Sequence, residues 1–424
     1  MNTKLKIMSL LVGTSLLAAP QAIATDGYFQ YALGARHAAL GGAGVAYTTD
    51  ATGMILNPAG IALYSGSELD VSLSIFSPRR KYTGSGGADF TSNGEVVSNS
   101  NYFPIPNIAY TRSIDETSSW GIAMYGNGGM NTNYPAAARP LPDCPPVGGT
   151  GIFCGGETGV DLMQAFLSVS YAKKVGMVSF GVSPLFVIQR FEAKGLGAFA
   201  MGGWSEDGAN MTDNGHDLST GVGVKFGLQA ELSEALSIGA TFQPEINMSK
   251  FDDYAGLFAN QGEMDIPMTF TIGAALKINN DFTIMADFNR IYYSKVEAVG
   301  NPTNVPQLFG STGGPGFGWD DISTFKIGAE WKQSENLTLR AGFSRNQNPI
   351  GPEDAALNIL APGVVQSHFT GGFQYDLASG SAFEFAAAYV PTVSVVGQGM
   401  MNPTHEVKIE MKQYVVSMGW KKKF

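Results

Sequence analysis

From Glu68 onward the chain alternates apolar and polar side chains with a period of two, broken only by clusters of turn-forming residues. That period assigns one set of residues to each face of a β-strand. Leu337, Leu339, Ala341 and Phe343 share a face opposite Thr338, Arg340, Gly342 and Ser344. Phe369, Gly371, Phe373, Tyr375 and Leu377 likewise oppose His368, Thr370, Gly372, Gln374 and Asp376, and the same rhythm runs through Phe325–Trp331 and Val222–Ala230. Beyond residue 24 no apolar run is long enough to cross a bilayer as a helix. The longest candidate, Phe385–Val396, is interrupted by Pro391.

Lys4 and Lys6 form a short basic region, residues 7–19 an apolar stretch, and Ala22-Ile23-Ala24 a small-x-small cleavage pattern. The stretch falls short of the roughly 20 residues of a spanning helix, so residues 1–24 read as a secretory signal peptide and the mature chain starts at Thr25. An exported chain with long two-faced strands and no spanning helix fits a barrel in the outer membrane of a Gram-negative bacterium. There the apolar face meets lipid, the other face lines the lumen, and closure leaves no backbone group unpaired in hydrocarbon. A soluble sandwich or propeller is disfavoured: strands of about 10–13 residues are long for a sandwich, and no blade-sized repeat is present. Glycine, 54 of 424 residues, is about twice its usual share of roughly 7%, which suits strands, turns and close backbone contacts.

Short connections lie at 114–118, 174–177, 233–235, 279–281, 334–336 and 378–381. Long ones lie near 78–100, 131–158, 193–218, 249–263, 297–320, 347–363 and 397–405. Six short and seven long connections in strict alternation join 14 antiparallel strands with both ends in the periplasm. At the C-terminus Tyr414, Val416, Met418, Trp420 and Phe424 share a face, although Lys422 stands where a further apolar residue is usual. A terminal aromatic on an alternating strand resembles the signal read by the barrel-assembly machinery, an expected partner during biogenesis.

The formal net charge of −10 argues against nucleic acid as a partner. Cys144 and Cys154 sit in a Pro/Gly-rich stretch, and an oxidising periplasm lets them pair. Such a bond would restrain an outer loop by about 3 kcal/mol if geometry permits. Neither a metal site nor a cofactor is expected. Phosphate-binding, zinc-protease and serine-hydrolase motifs are absent from the sequence. His37, His216, His368 and His405 are scattered, and His216-Asp217 with Ser219 lacks the oriented base and oxyanion site that nucleophilic catalysis needs. The reading is a non-enzyme.

Residues 25–64 do not alternate; they are rich in Gly and Ala and end in Asn57-Pro58-Ala59-Gly60, just before the first strand. This segment, the strand count and the terminal Phe together resemble the FadL/TodX (OmpP1) family, which carries long-chain fatty acids and aromatic hydrocarbons across the outer membrane. The resemblance covers essentially the whole mature chain. It implies an all-β, 14-stranded transmembrane barrel over residues 65–424, with residues 25–64 as a hatch plugging the lumen and Asn57, Pro58 and Ala59 as its motif. It further implies capture of a hydrophobic ligand by outer loops, binding in the lumen, hatch movement, and lateral exit at an inward kink in the third strand. Here that strand should run from Ser119 to about Met130, and its Gly126, Asn127, Gly128 and Gly129 mark either the kink or a strand end opening into a loop.

Tyr28, Phe29, Tyr31 and Leu33 at the hatch start are candidates for touching an apolar ligand, against the alternative that they simply fill the lumen. Phe251–Asn260 would form a short amphipathic helix in an outer loop, with Tyr254, Leu257 and Phe258 on one face, as a landing groove or as plain loop packing. Arg340, Lys326, Lys225 and Arg290 are weaker candidates for a ligand carboxylate. A long-chain fatty acid is the leading substrate, with an aromatic hydrocarbon as the alternative. A general porin is disfavoured by the plug segment, and a surface adhesin by the modest loops. A monomer in contact with outer-membrane lipid and lipopolysaccharide is expected.

Overall fold

The computed structural model describes residues 26–139, 144, 149–378 and 380–424; the expected signal peptide and Thr25 lie outside the described residues. Fourteen strands follow in chain order: β1 (Ser67–Gly86), β2 (Phe103–Ser113), β3 (Ser118–Asn131), β4 (Gly159–Val175), β5 (Val178–Lys194), β6 (Asp217–Glu231), β7 (Leu236–Gln243), β8 (Thr269–Lys277), β9 (Phe282–Ile291), β10 (Ile322–Lys332), β11 (Leu337–Asn346), β12 (Ser367–Asp376), β13 (Ser381–Gln398) and β14 (His405–Lys423). Each pairs antiparallel with its sequence neighbours, and β14 pairs back onto β1 from Glu68↔Lys423 to Gly86↔His405, closing the barrel. A further strand of the same sheet, Gly94–Val97, is a short flap on the upper part of β1, and Ala138–Arg139 pairs separately with Gly149–Thr150. No described helix is long and apolar enough to cross a membrane.

The alternating pattern divides as expected. Phe325, Ile327, Trp331, Phe369, Tyr375, Val222 and Phe226 are exposed on the outside, while Lys326, Arg340, Ser344 and His368 are buried within. Tyr414, Val416, Met418, Trp420 and Phe424 also face outward, and the Phe424 amide donates to the Ser67 carbonyl at 2.9 Å. Short turns are built by local side-chain caps: the Asp115 carboxylate accepts from the Thr117 and Ser118 amides at 2.8 and 2.9 Å. Two boundaries shift. β1 continues past residue 78 to Gly86, paired along its length with β14. β7 stops at Gln243 because Pro244 offers no ladder N–H. The Cys144–Cys154 disulfide is formed, with 5.6 Å between its Cα atoms.

Residues 26–64 lie inside the ring of strands and are almost wholly buried. They form two short helices, α1 (Gly34–Ala39) and α2 (Gly53–Leu56), and a 3-10 turn at Pro58–Leu63. So little regular structure leaves many backbone groups without partners of their own, and the wall supplies them. The Asp287 carboxylate accepts from the Gly44 and Val45 amides at 2.7 and 3.0 Å. The Lys326 ammonium donates to the Tyr31 carbonyl at 2.7 Å, and the Lys225 ammonium to the Ile55 carbonyl at 3.0 Å. The segment reaches the wall because inward-facing positions are glycine. A Cβ on Gly181 would stand 2.2 Å from the Ala59 nitrogen, on Gly239 2.4 Å from the Val45 oxygen, and on Gly342 2.1 Å from the Leu40 carbonyl carbon.

Substituting Gly342→Val therefore forces the segment off β11. Overpacking of this kind costs about 1–3 kcal/mol, so the barrel should stay heat-modifiable on gels while ion conductance in planar bilayers rises. Gly371→Val, on the lipid face with only the Arg340 oxygen at 3.7 Å from its would-be Cβ, should leave conductance unchanged. A folded Gly342→Val protein no more conductive than wild type would contradict this contact.

Candidate functional site

Asn57 joins the inner segment to itself and to the wall. Its Oδ1 accepts from the Ala59 amide at 3.0 Å, and its Nδ2 donates to the carbonyls of Val45 and, on β6, Leu228 at 2.7 and 3.1 Å. Its φ of −141° and ψ of 106° are the extended geometry that a following proline favours. Towards the short-turn end, Arg36 and Asp50 enter a cluster of wall charges. The Arg36 Nε lies 3.2 Å from Glu330; Arg340 bridges Glu330 and Glu384 at 2.7 and 3.0 Å; Lys421 contacts Glu384 and Asp50 at 3.1 and 3.8 Å. Burial by itself raises the Asp50 carboxyl's pKa, but the Lys421 and Arg36 charges outweigh it and hold the group below the ordinary carboxylate range.

Near the outer end the wall is incomplete. β2 pairs with β3 only from Ser113↔Ser119 to Asn107↔Tyr125, so among the strands of the wall Phe103–Pro106 pair only with β1, and Gly126 and Gly128–Asn131 only with β4. The β3–β4 register slips between Gly126 and Gly128, leaving Asn127 as the extra residue of a bulge. Above, the Asn99 amide donates to the Asn133 carbonyl at 2.7 Å and closes the opening into a window. Odd-numbered residues of β2 point their amides at β1, as Ser113 does to Gly66, and even-numbered ones at β3, as Ile114 does to Ser118. Pro104 and Pro106 therefore remove the two donors that would continue β2–β3 pairing. This Pro-x-Pro inside a strand was the sequence signal for the window, and the glycine-based reading missed it.

The first residues of the inner segment line the window from within. The Gln30 amide donates to the Asn127 carbonyl at 3.0 Å and the Gly129 amide to the Tyr28 carbonyl at 2.9 Å. Tyr28 packs against Phe29, Tyr293 and Trp319 at ring-centroid distances of 5.2, 4.9 and 5.9 Å. Beyond Trp319 a tight cleft of about 20 Å³ is lined by Phe76, Arg80, Met130, Ala361 and Met411. Arg80 is the one lining cation there among the described residues. It is 2% exposed, lies 5.6 Å over the Phe103 ring, and donates through Nη2 to Ser98 and Ser100, while its Nε has no partner. No carboxylate lies within ion-pair distance of it among the described residues.

The residues nominated from sequence fall into three groups. Tyr28, Phe29, Gly126, Asn127, Gly128 and Gly129 meet at the window. Tyr31 stacks on His368 at 5.0 Å and half-buried Leu33 lies further in. Tyr254, Leu257 and Phe258 are buried in an outer-loop core, with Tyr254 and Phe258 4.9 and 4.7 Å from Phe191. Instead of an amphipathic helix, that loop holds a single 3-10 turn, Asp252–Tyr254, and a second turn in which Asn260 and Gln261 adopt left-handed conformations. The basic candidates are engaged: Lys326 with Asp26 at 2.9 Å, Arg290 with Asp321 at 3.0 Å, Arg340 in the ion cluster, and Lys225 on its carbonyl. His216 contacts Asp161 at 3.0 Å, while the Ser219 hydroxyl donates to the Ser249 carbonyl.

Several solved structures share this architecture. The toluene transporter TodX of P. putida matches at 19% identity over 93% of this chain and 99% of its own, with a TM-score of 0.68. The Ralstonia pickettii toluene transporter TbuX matches at 18% identity over 93% and 99%, with a TM-score of 0.62. A Pseudomonas aeruginosa FadL homologue matches at 15% identity over 94% and 100%, with a TM-score of 0.68. At these identities the likeness establishes the fold. None of the curated proteins matches the sequence. The model of the outer membrane protein transport protein family (OMPP1/FadL/TodX) matches residues 14–424, and the chain belongs to that family of outer-membrane transporters for hydrophobic substrates.

Proposed function

We propose that this protein carries long-chain fatty acids across the outer membrane, binding the ligand in the cleft beside Arg80 and releasing it through the β2–β3 window. The observation that carries this reading is Arg80 itself. A buried guanidinium without a carboxylate partner is costly, and a ligand carboxylate would supply the missing partner while its chain lies along Phe76, Met130 and Met411. In this closed form the cleft is too small for an acyl chain, so entry requires displacement of the Ala361–Gly363 segment and of the arm at Tyr28–Gln30. The hatch, residues 25–64 ending in Asn57, Pro58 and Ala59, blocks the lumen, and the ion cluster around Asp50 holds its body still while the arm moves. The loop core at Tyr254, Leu257 and Phe258 supports the outer surface on which ligand first lands.

An aromatic-hydrocarbon channel is the second reading, favoured by the rings of Tyr28, Tyr293 and Trp319 beside the same cleft. Arg80 separates the two. Arg80→Gln removes the charge and keeps donors. Losing a charge-assisted hydrogen bond should weaken oleate binding by about 10- to 100-fold and leave toluene uptake intact. Equal loss for both ligands, or for neither, would count against carboxylate binding here.

Wild-type protein should conduct almost no ions in a planar bilayer, and deleting Thr25–Ala59 should open a large channel. Steady wild-type conduction with no gain on deletion would make the protein an open porin. Restoring donors to the window edge with Pro104→Val and Pro106→Val should extend β2–β3 pairing and slow uptake several-fold, with correct localisation retained. Undiminished uptake in the folded double variant would refute lateral release.

A further inference from the structure

We infer that the outer face of the β1–β14 seam is a binding site for the phosphate of a phosphorylated glycolipid, the lipopolysaccharide of the outer leaflet. The register sets Arg79 directly opposite Lys412. Both share the outward parity of Leu73, Ile75, Tyr414 and Val416, so both point at the membrane surface. Like charges directly opposite on one face of a sheet repel. The adjacent outward pair, Lys81↔Glu410, is neutralised: Lys81 lies 2.9 Å from Glu410 and 3.1 Å from Glu95, and Lys408 lies 3.1 Å from Glu410. Arg79 and Lys412 have no acidic partner among the described residues. An anion between them converts the repulsion into two charge-assisted contacts.

Arg79 is held in place for such a ligand. Its Nη2 donates to the Tyr102 hydroxyl at 2.6 Å and its Cζ lies 4.9 Å over the Tyr102 ring, which is itself exposed. The height of the pair in the wall selects a lipid over a soluble anion. Val71, Leu73 and Ile75 on β1, with Trp420, Met418, Val416 and Tyr414 on β14, form a continuous outward apolar band from the short-turn end. The band stops at Ser77↔Tyr414, and Arg79 and Lys412 are the next outward residues above it. That is where an outer-leaflet lipid carries its phosphate while its acyl chains cover the band. Lys412 also flanks the slip in β13–β14 register between Val390 and Val393. The assignment is independent of which substrate the lumen carries.

The test uses the full-length protein purified in detergent and titrated with lipopolysaccharide, its enzymatically dephosphorylated form, phosphatidylglycerol and inorganic phosphate, with bound lipid counted by native mass spectrometry. Wild type should retain phosphorylated lipopolysaccharide, and R79Q/K412Q should bind it at least about tenfold more weakly, two charge-assisted contacts being lost. A control of equal charge change in the outer loops, K250Q/K295Q, should bind as wild type does. Dephosphorylated lipopolysaccharide should bind wild type and the double variant alike, and a loss of phosphatidylglycerol binding as large as that of lipopolysaccharide would overturn the assignment to the glycolipid. Heat-modifiability checks folding, and the single variants R79Q and K412Q, each with an intermediate loss, serve if the double variant fails to assemble. Unchanged affinity in the folded variants overturns the site. Displacement by millimolar inorganic phosphate overturns its assignment to a lipid.

Discussion

At several wall glycines the inner segment lies against the barrel with no side chain between the two backbones, and much of what the lumen contains follows from that approach. Fourteen strands enclose more space than inward side chains alone fill, so the interior needs a chain segment of its own. A segment with two short helices cannot satisfy its backbone internally. The wall must therefore offer glycine where the backbones touch and hydrogen-bonding side chains where they stand apart. Gly181, Gly239 and Gly342 do the first; Asp287, Lys326, Lys225 and Thr370 do the second. Of the four lumen cations that look in sequence like ligand anchors, Lys326 and Lys225 are partners for hatch carbonyls, and Arg340 and Arg290 are paired with carboxylates.

The same constraint explains the uneven distribution of charge. Arg36, Glu330, Arg340, Glu384, Lys421 and Asp50 form one connected buried cluster, in which removing a single member leaves a charge uncompensated at about 3–5 kcal/mol. Segments tied in this way resist separate movement. The arm at Tyr28–Gln30 is attached to β3 by two backbone hydrogen bonds and by the Gln30 side chain on the Gly126 carbonyl, and Tyr28 packs on Tyr293. The ion pair beside it, Asp26 with Lys326 at 2.9 Å, lies at its base. The body is thus fixed mainly by connected charges and the arm mainly by uncharged contacts, although both are buried.

Strand number, order and facing were legible because lipid imposes a period of two on every spanning segment. The signal fades where lipid ends. Above Ile75 the outward residues of β1 are Ser77, Arg79, Lys81 and Thr83, so the strand continues to Gly86 while its alternation no longer reads as apolar against polar. At the site, Tyr28, Phe29 and the Gly126–Gly129 run were visible as composition, and their meeting was not, because a bridge such as Phe29↔Gly128 joins segments about a hundred residues apart. Arg80 was hidden for a simpler reason. It sits beside Arg79 in the sequence, and only the pleat separates a lumen guanidinium from a membrane-surface one.

The window is a sheet edge, and an unprotected edge invites pairing with another chain. Here two devices protect it. Pro104 and Pro106 take the donors away on the β2 side, and the bulge at Asn127 turns the β3 side toward the arm, whose Gln30 amide and Tyr28 carbonyl occupy groups that a neighbouring strand would otherwise use. The edge is thereby quenched without being closed. A regular ladder across β2 and β3 would leave no gap in the wall; here the edge is satisfied by a segment whose Tyr28 packs on Trp319, a wall of the cleft beside Arg80, so edge and cleft share one layer of side chains.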